Sequence, residues 1–360
     1  MSSMTSQPSP VPDYGRRHAN ARTLRILDGV TYGSAIGGAL FMIVLLILFL
    51  AVIGHGAMPA IQKFGLHFLT GTEWNAHPAH ADDTPEPPQV FGARTAIVGT
   101  LFTALIALVI SFPISMGSAV FLVKLAPKFR LMVPKMQNGH VRFTSFSLRH
   151  AVTVASFLIE LLAAIPSIAY GLWGLAVLVP FMQDKVQPLI GHTLGHWAGI
   201  GPYFENEGAG TNILTAGIIL SIMVTPIMTA IIRDVVAVTP PELEQGALGL
   251  GATWWQSTRL VLGYCKMGIL GAVILGFARA IGETMAVTMV IGDSLDPDKS
   301  LLAPGQSIAS LLAVQFRNAD SDGEIHALVY AALVLLVITT LINGFARLLI
   351  VRVARKSVKR

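Results

Sequence analysis

The stretch Gly276–Asp293, GFARAIGETMAVTMVIGD, lies in a run apolar enough to cross a bilayer, yet it carries Arg279 and Glu283. A charge at the centre of a translocon-inserted helix costs about 2.5 to 3.5 kcal/mol, so intramembrane ionisable residues mark functional positions by default. Whether this run belongs in a membrane decides the fold class.

Composition says that it does. Of 360 residues, 53% are hydrophobic and 12% charged, about half the charged fraction of soluble domains, and the mean hydropathy is +0.65. Five apolar runs, 33–53, 95–123, 213–232, 267–291 and 327–346, approach or exceed the roughly 20 residues that span a hydrocarbon core. A sixth, 151–182, contains Glu160 and Pro166, and Pro166 is expected to kink or interrupt it. The expected architecture is all-α and polytopic, with six transmembrane helices.

Residues 1–32 read as a tail rich in Ser, Pro, Arg and His, with a short amphipathic helix over 18–30 lying on the membrane surface before the chain turns in. The first span and an outer loop occupy 33–94, and a basic tail closes the chain at 351–360. Segments 1–32, 124–150, 233–266 and 347–360 hold 19 Lys and Arg, against 5 in the opposite connections 54–94, 183–212 and 293–325. The positive-inside rule therefore predicts both termini in the cytoplasm. A lone cysteine, Cys265, excludes an intramolecular disulfide.

Several chemistries find no support. The chain has no GxxxxGK[ST] loop, HExxH, GxSxG or paired CxxC, so it carries no recognisable phosphate cradle for ATP and none of the common hydrolase or metal signatures. His77 and His80 near Asp82 and Asp83, and His192 with His196, read either as solvated loop residues or as partial metal sets without a four-ligand pattern.

On a continuous helix Arg279 and Glu283 share a face, which fits a self-neutralising i,i+4 pair, but Arg before Glu is the less favourable order. The other reading puts them on a substrate pathway. A guanidinium is a planar fork of donors matched to oxyanions, and a nearby carboxylate orients it and limits the anion's affinity. Gly276, Ala280 and Thr284 recur at four-residue spacing, which suits close helix packing. Glu160, Ser167 and Tyr170 flank the Pro166 interruption, where exposed backbone must be paired within protein or water.

The segment Val238–Tyr264, VTPPELEQGALGLGATWWQSTRLVLGY, resembles the EAA loop of ABC importer permeases, a helix, glycine turn and helix that docks on an ATPase. Gln245, Gly246 and Ala247 occupy the Glu-Ala-Ala positions, Gly251 the turn, and Gly263 the place of a usual proline; Glu244 is one residue from the departed glutamate. The stretches ELLAAIPSIAYGLWGLAVLVP (160–180), FARAIGETMAVTMVIGD (277–293) and GSAVFLVKLAPKFR (117–130) look like those of permease subunits of the Pst phosphate importer, closer to its PstC type than its PstA type. Residues 131–147 look like an insertion.

The resemblance implies a permease domain of the type I ABC importer class over 95–350, and a chain that imports inorganic phosphate by alternating access without bond chemistry of its own. It implies a second, PstA-like permease, a cytoplasmic PstB-like ATPase pair binding ATP and Mg, and an extracytoplasmic PstS-like phosphate-binding protein, all in a bacterial inner membrane with lipid around the spans. The pathway residues implied are Arg279, Glu283, Thr284, Glu160, Ser167 and Tyr170; Glu244, Gln245, Gly246, Ala247 and Gly251 would couple to the ATPase. The alternatives are a permease for sulfate, molybdate or phosphonate, an ATP-independent channel or ion-coupled carrier, and a membrane structural or sensing protein.

Overall fold

A computed structural model describes residues 21–75, 89–126, 130–137, 140–147, 149–195, 199, 201–204, 210–295 and 300–358. His77, His80, Asp82, Asp83 and His196 lie outside these residues. So do the tail 1–17 and most of the Pro-rich outer loop.

Helix α1 runs over Ala21–Phe64 without a turn near residue 30. Residues 21–30 of the surface-lying helix expected over 18–30 are continuous with α1, and residues 18–20 lie outside the described residues. Residues up to His55 form one unit and Gly56 onward the other. Within the second unit, α1 is followed by α2 (His67–Thr70) and a two-residue ribbon, β1 (Trp74–Asn75) against β2 (Val90–Phe91). Phe68, Trp74 and Phe91 pack edge to face there, and Phe68 stacks on Tyr330.

Helix α3 (Arg94–Val120) continues through a π-helical turn, Phe121–Leu125, to make one long span. Next comes an antiparallel hairpin, β3 (Arg130–Gln137) and β4 (His140–Ser147), in register from Arg130↔Ser147 to Gln137↔His140. The 131–147 insertion is this hairpin.

The third expected span is broken. Helix α4 (Arg149–Ala163) stops before Pro166 and α5 (Ser167–Trp173) starts after it, the two pieces being bent by 91°. Proline lacks an N–H and restrains the residue before it away from the helical region, which ends α4. Through π-helical turns and α6 (Val179–Phe181), the second piece reaches α7 (Gln187–Leu194), which carries His192.

Helix α8 (Ile213–Ala237) begins at Asn212, whose side chain accepts the Thr215 amide at 2.8 Å, a standard N-cap that satisfies one orphan donor. A short helix α9 (Pro241–Gly249) leads to α10 (Trp254–Ile281), which opens on a reciprocal Thr253–Gln256 capping box. Then come α11 (Met285–Val290), α12 (Ile308–Gln315) and α13 (Asp322–Val358). Among the described residues five helices are long and apolar enough to span, and the α4/α5 pair, bent by 91°, brings the number to six when it is counted as one span.

The main core joins α3, α8 and α11 through Ala104, Ala107, Ile219, Leu220, Met228, Val287 and Val290. Close approach is bought with small side chains: a Cβ on Gly276 would meet the Met228 sulfur at 2.7 Å, consistent with the packing predicted from the 276–280–284 spacing. Ala280 is likewise buried, but Thr284 is no longer on that helix.

Candidate functional site

The apolar run 267–291 was expected to be one helix. Instead α10 ends at Ile281, and Gly282, Glu283 and Thr284 separate it from α11. The Gly282 and Glu283 amides close the turn onto Ala278 and Ala280 at 3.2 and 3.5 Å. On the far side the Thr284 carbonyl accepts both the amide and the hydroxyl of Thr288, at 3.0 and 2.8 Å. Gly282 ends α10 with right-handed backbone angles (φ −86°, ψ 0°), and α11 starts from its N-cap Thr284 without a side-chain cap.

Arg279 and Glu283 thus do not share a helical face; they flank a helix end. Their closest nitrogen–oxygen distance is 3.9 Å, with the Arg279 side chain 43% exposed and that of Glu283 9%. This separation lies outside the 2.7–3.2 Å of a hydrogen bond. The carboxylate supplies field without closing the guanidinium fork. The last turn of α10 is also where a cation is favoured by the helix dipole.

The two interrupted spans meet. A Cβ on Gly171 would fall 3.1 Å from Ala286 Cα and 2.7 Å from the Met289 sulfur, and one on Gly174 would meet Val290 at 3.2 Å. The segment Gly171–Gly174 therefore packs closely against Ala286–Val290 of α11. Ser167, Glu283 and Thr284 are all half-buried.

Tyr170 and Glu160 are already engaged. The Tyr170 hydroxyl donates to the Leu162 carbonyl at 2.9 Å, in the last turn of α4, where the Ile165 amide also bonds the same oxygen at 3.3 Å. Glu160 accepts from Arg233 Nη2 at 2.8 Å, and the same nitrogen donates to Asp234, also at 2.8 Å. Glu160 thus pairs with α8 rather than with Arg279. Arg233 was not singled out in the sequence because it sits at the edge of an apolar run, where a basic residue is unremarkable.

At the opposite end of α10, helix α9 closes in a Schellman motif. The Ala252 amide bonds to the Ala247 carbonyl and that of Gly251 to Leu248, both at 3.0 Å, with Gly251 at φ +83°. This is the six-to-one, five-to-two pattern that calls for a left-handed residue. Gln245 and Gly246 are exposed and Ala247 is half-buried. Leu250 is 92% and Trp255 60% exposed, so the turn presents large apolar groups outward. Glu244 does not: its carboxylate meets Lys124 Nζ at 2.6 Å, the side chains being 19% and 11% exposed. Glu244, expected to be among the ATPase-coupling residues, is held in an ion pair within the chain.

Residues 147–355 match the family of binding-protein-dependent transport system inner membrane components. The phosphate transport system permease protein PstC of Haemophilus influenzae is 39% identical over 87% of this chain and 90% of its own length. That of Mesorhizobium japonicum is 36% identical over 94% of both. Among solved structures, the inward-facing MetNI methionine ABC transporter is similar at TM-score 0.48 and 14% identity, over 72% of this chain and 94% of that one. With over half its length matching the family and its relatives aligned almost end to end, the chain belongs to the binding-protein-dependent transport system inner membrane components and, among them, to the PstC permeases.

Proposed function

We propose that this chain moves inorganic phosphate into the cytoplasm as one permease of an ATP-driven importer. The observation that carries the reading is the open Arg279 fork, held 3.9 Å from the Glu283 carboxylate at a helix break inside the spanning bundle. The relatives' names, phosphate transport system permease proteins, supply the anion. A guanidinium that is oriented but not closed binds a passing phosphate through paired donors, and the carboxylate keeps that binding weak enough to release it. Thr284 and Ser167 would add hydroxyls. Tyr170 and Glu160 would bear on the pathway by setting the α4/α5 bend.

As an inner membrane component of a binding-protein-dependent system, the chain works with a partner permease, an ATPase and a binding protein. The finer assignment is a PstA-like permease, a PstB-like ATPase pair that binds ATP and Mg, and a PstS-like phosphate-binding protein. The ATPase docks on the exposed 245–255 turn, a helix-in-groove contact anchored by Leu250 and Trp255. ATP binding there shifts the inward and outward populations. The chain itself carries out no bond chemistry.

The 19-to-5 distribution of Lys and Arg supports cytoplasmic termini,. With Cys265 replaced, a cysteine at Ser321 should react with an impermeant outside reagent and one at Ser357 should not. The transport reading is tested with the reconstituted complex and labelled phosphate. Uptake should need ATP and resist excess sulfate, molybdate and phosphonate. Competition by one of those anions would reassign the substrate, and ATP-independent uptake that follows an ion gradient would overturn the importer reading.

A further inference from the structure

We propose that the Lys124–Glu244 ion pair is the link by which movement of α9 is passed into α3, and through α3 to the far end of the pathway helix. The inference rests on the proposed docking of an ATPase at the 238–264 loop. Helix α9 buries none of its own side chains, and the chain connects it directly to α8 and α10. A tie to a third span is the 2.6 Å contact between Glu244 and Lys124, which sits on the π-helical turn that prolongs α3. Both side chains are largely shielded from water, so the pair is screened less than an exposed one.

The other end of α3 is fastened just as specifically. Thr100 Oγ1 accepts the Ile308 amide at 2.9 Å, and a side chain on Gly99 would run into the Gln306 carbonyl. Gln306 in turn donates to Asp293 at 2.7 Å, while the Gly305 amide bonds the Ile291 carbonyl at 2.9 Å. Asp293 adopts φ +54°, a conformation rare for a residue with a Cβ and held only where its surroundings over-determine it. These contacts pin the segment 305–308 to the end of α11, whose beginning is the break beside Arg279 and Glu283. Thr100 and Lys124 are 24 residues apart, about 36 Å along a helix at 1.5 Å per residue. One continuous span, with Pro113 inside it and a π-helical turn at the Lys124 end, therefore touches both the docking helix and the outer end of the segment that follows the anion site.

A chain of contacts is not by itself coupling, so the measurement is of coupling. In vesicles holding the full complex with its binding protein, the readout is phosphate taken up per ATP hydrolysed. Lys124→Met should leave the ATPase subunit co-purifying in its normal ratio while lowering phosphate per ATP by at least about five-fold, the lower end of allosteric couplings. The exchanged pair, Lys124→Glu with Glu244→Lys, should recover most of it. Unchanged phosphate per ATP in an assembled Lys124→Met complex would overturn the relay and leave docking intact. An unaltered chain that does not bring the ATPase with it would overturn both.

A second variant decides the matter should Lys124→Met fail to assemble. With Cys265→Ser, cysteines at positions 124 and 244 are joined by a short bifunctional thiol reagent. If the two helices move as one, cross-linking should restore coupling lost in the unlinked protein. Coupling that is abolished by the cross-link, or indifferent to it, would reject the relay.

Discussion

The Tyr170 hydroxyl donates to the Leu162 carbonyl at 2.9 Å across the break at Pro166, so a residue of one half-helix adds a second donor to a carbonyl of the other that also accepts the Ile165 amide at 3.3 Å. Tyr170→Phe removes the donor and keeps the ring. A single intramolecular hydrogen bond contributes about 0.5–1.5 kcal/mol net, so the assembled complex should melt at a slightly lower temperature with an unchanged KM for phosphate. A raised KM at unchanged melting temperature would instead make Tyr170 a pathway hydroxyl.

Arg279 and Glu283 differ in exposure as well as charge. Exchanging them would move the guanidinium into the more buried position beyond the helix end, so the exchanged protein should stay inactive although the local net charge is kept. Arg279→Lys keeps the charge and loses the fork. A hydrogen bond involving a charged group is worth about 1.5–3 kcal/mol, so KM for phosphate should rise about 10- to 100-fold. Near-normal uptake by the exchanged pair, normalised to complex abundance, would reduce these residues to a structural pair.

Gly251 holds φ +83° with nothing within 4 Å of its missing Cβ, so conformation and not space is what excludes other residues. Gly251→Val should cost about 1–2 kcal/mol, the penalty for an L side chain in the left-handed region, and should disturb the Leu250 and Trp255 surface. Binding-protein-stimulated ATP hydrolysis should fall while membrane insertion is retained. Gly251→Asn, which tolerates this conformation, should lose far less. Equal losses in both variants would argue that the turn geometry is irrelevant.

Gly171 lies against α11 with no room for a methyl group, 3.1 Å from a backbone atom. Overpacking a tight contact costs about 1–3 kcal/mol. Gly171→Ala should therefore lower the yield of folded complex and the uptake rate, whereas Gly117→Ala, where nothing lies within 4 Å, should do neither. Wild-type behaviour of Gly171→Ala would mean that α5 and α11 are less closely joined than the structure has them.

Much of this was legible in the sequence because it depends on local or compositional physics. Apolar run length marks a span, a proline ends a helix at its own position, and the Pro240–Gly251 spacing marks a helix and its glycine turn. Each signal is confined to a short window, as at Pro166 and in α9. The break after Ile281 is not legible in the sequence, because Gly282 and Thr284 are tolerated inside apolar helices and periodicity alone shows no gap there. The hairpin 130–147 was seen only as an insertion, since its sequence follows no sustained alternation.

What the sequence by itself determined was the membrane class, the number and place of the apolar segments, the charge asymmetry, and which charged residues sit where charge is costly. The partners of those charges were decided by tertiary structure alone. Glu160 meets Arg233 and Glu244 meets Lys124, pairs separated by 73 and 120 residues. Neighbouring Arg279 and Glu283 fail to close although only four residues separate them. The reason is that an ion pair needs atoms within a few ångströms, and that distance is set by how whole helices cross and where they break. Helix crossings follow from shape matching among many small side chains, and no single window of sequence contains it.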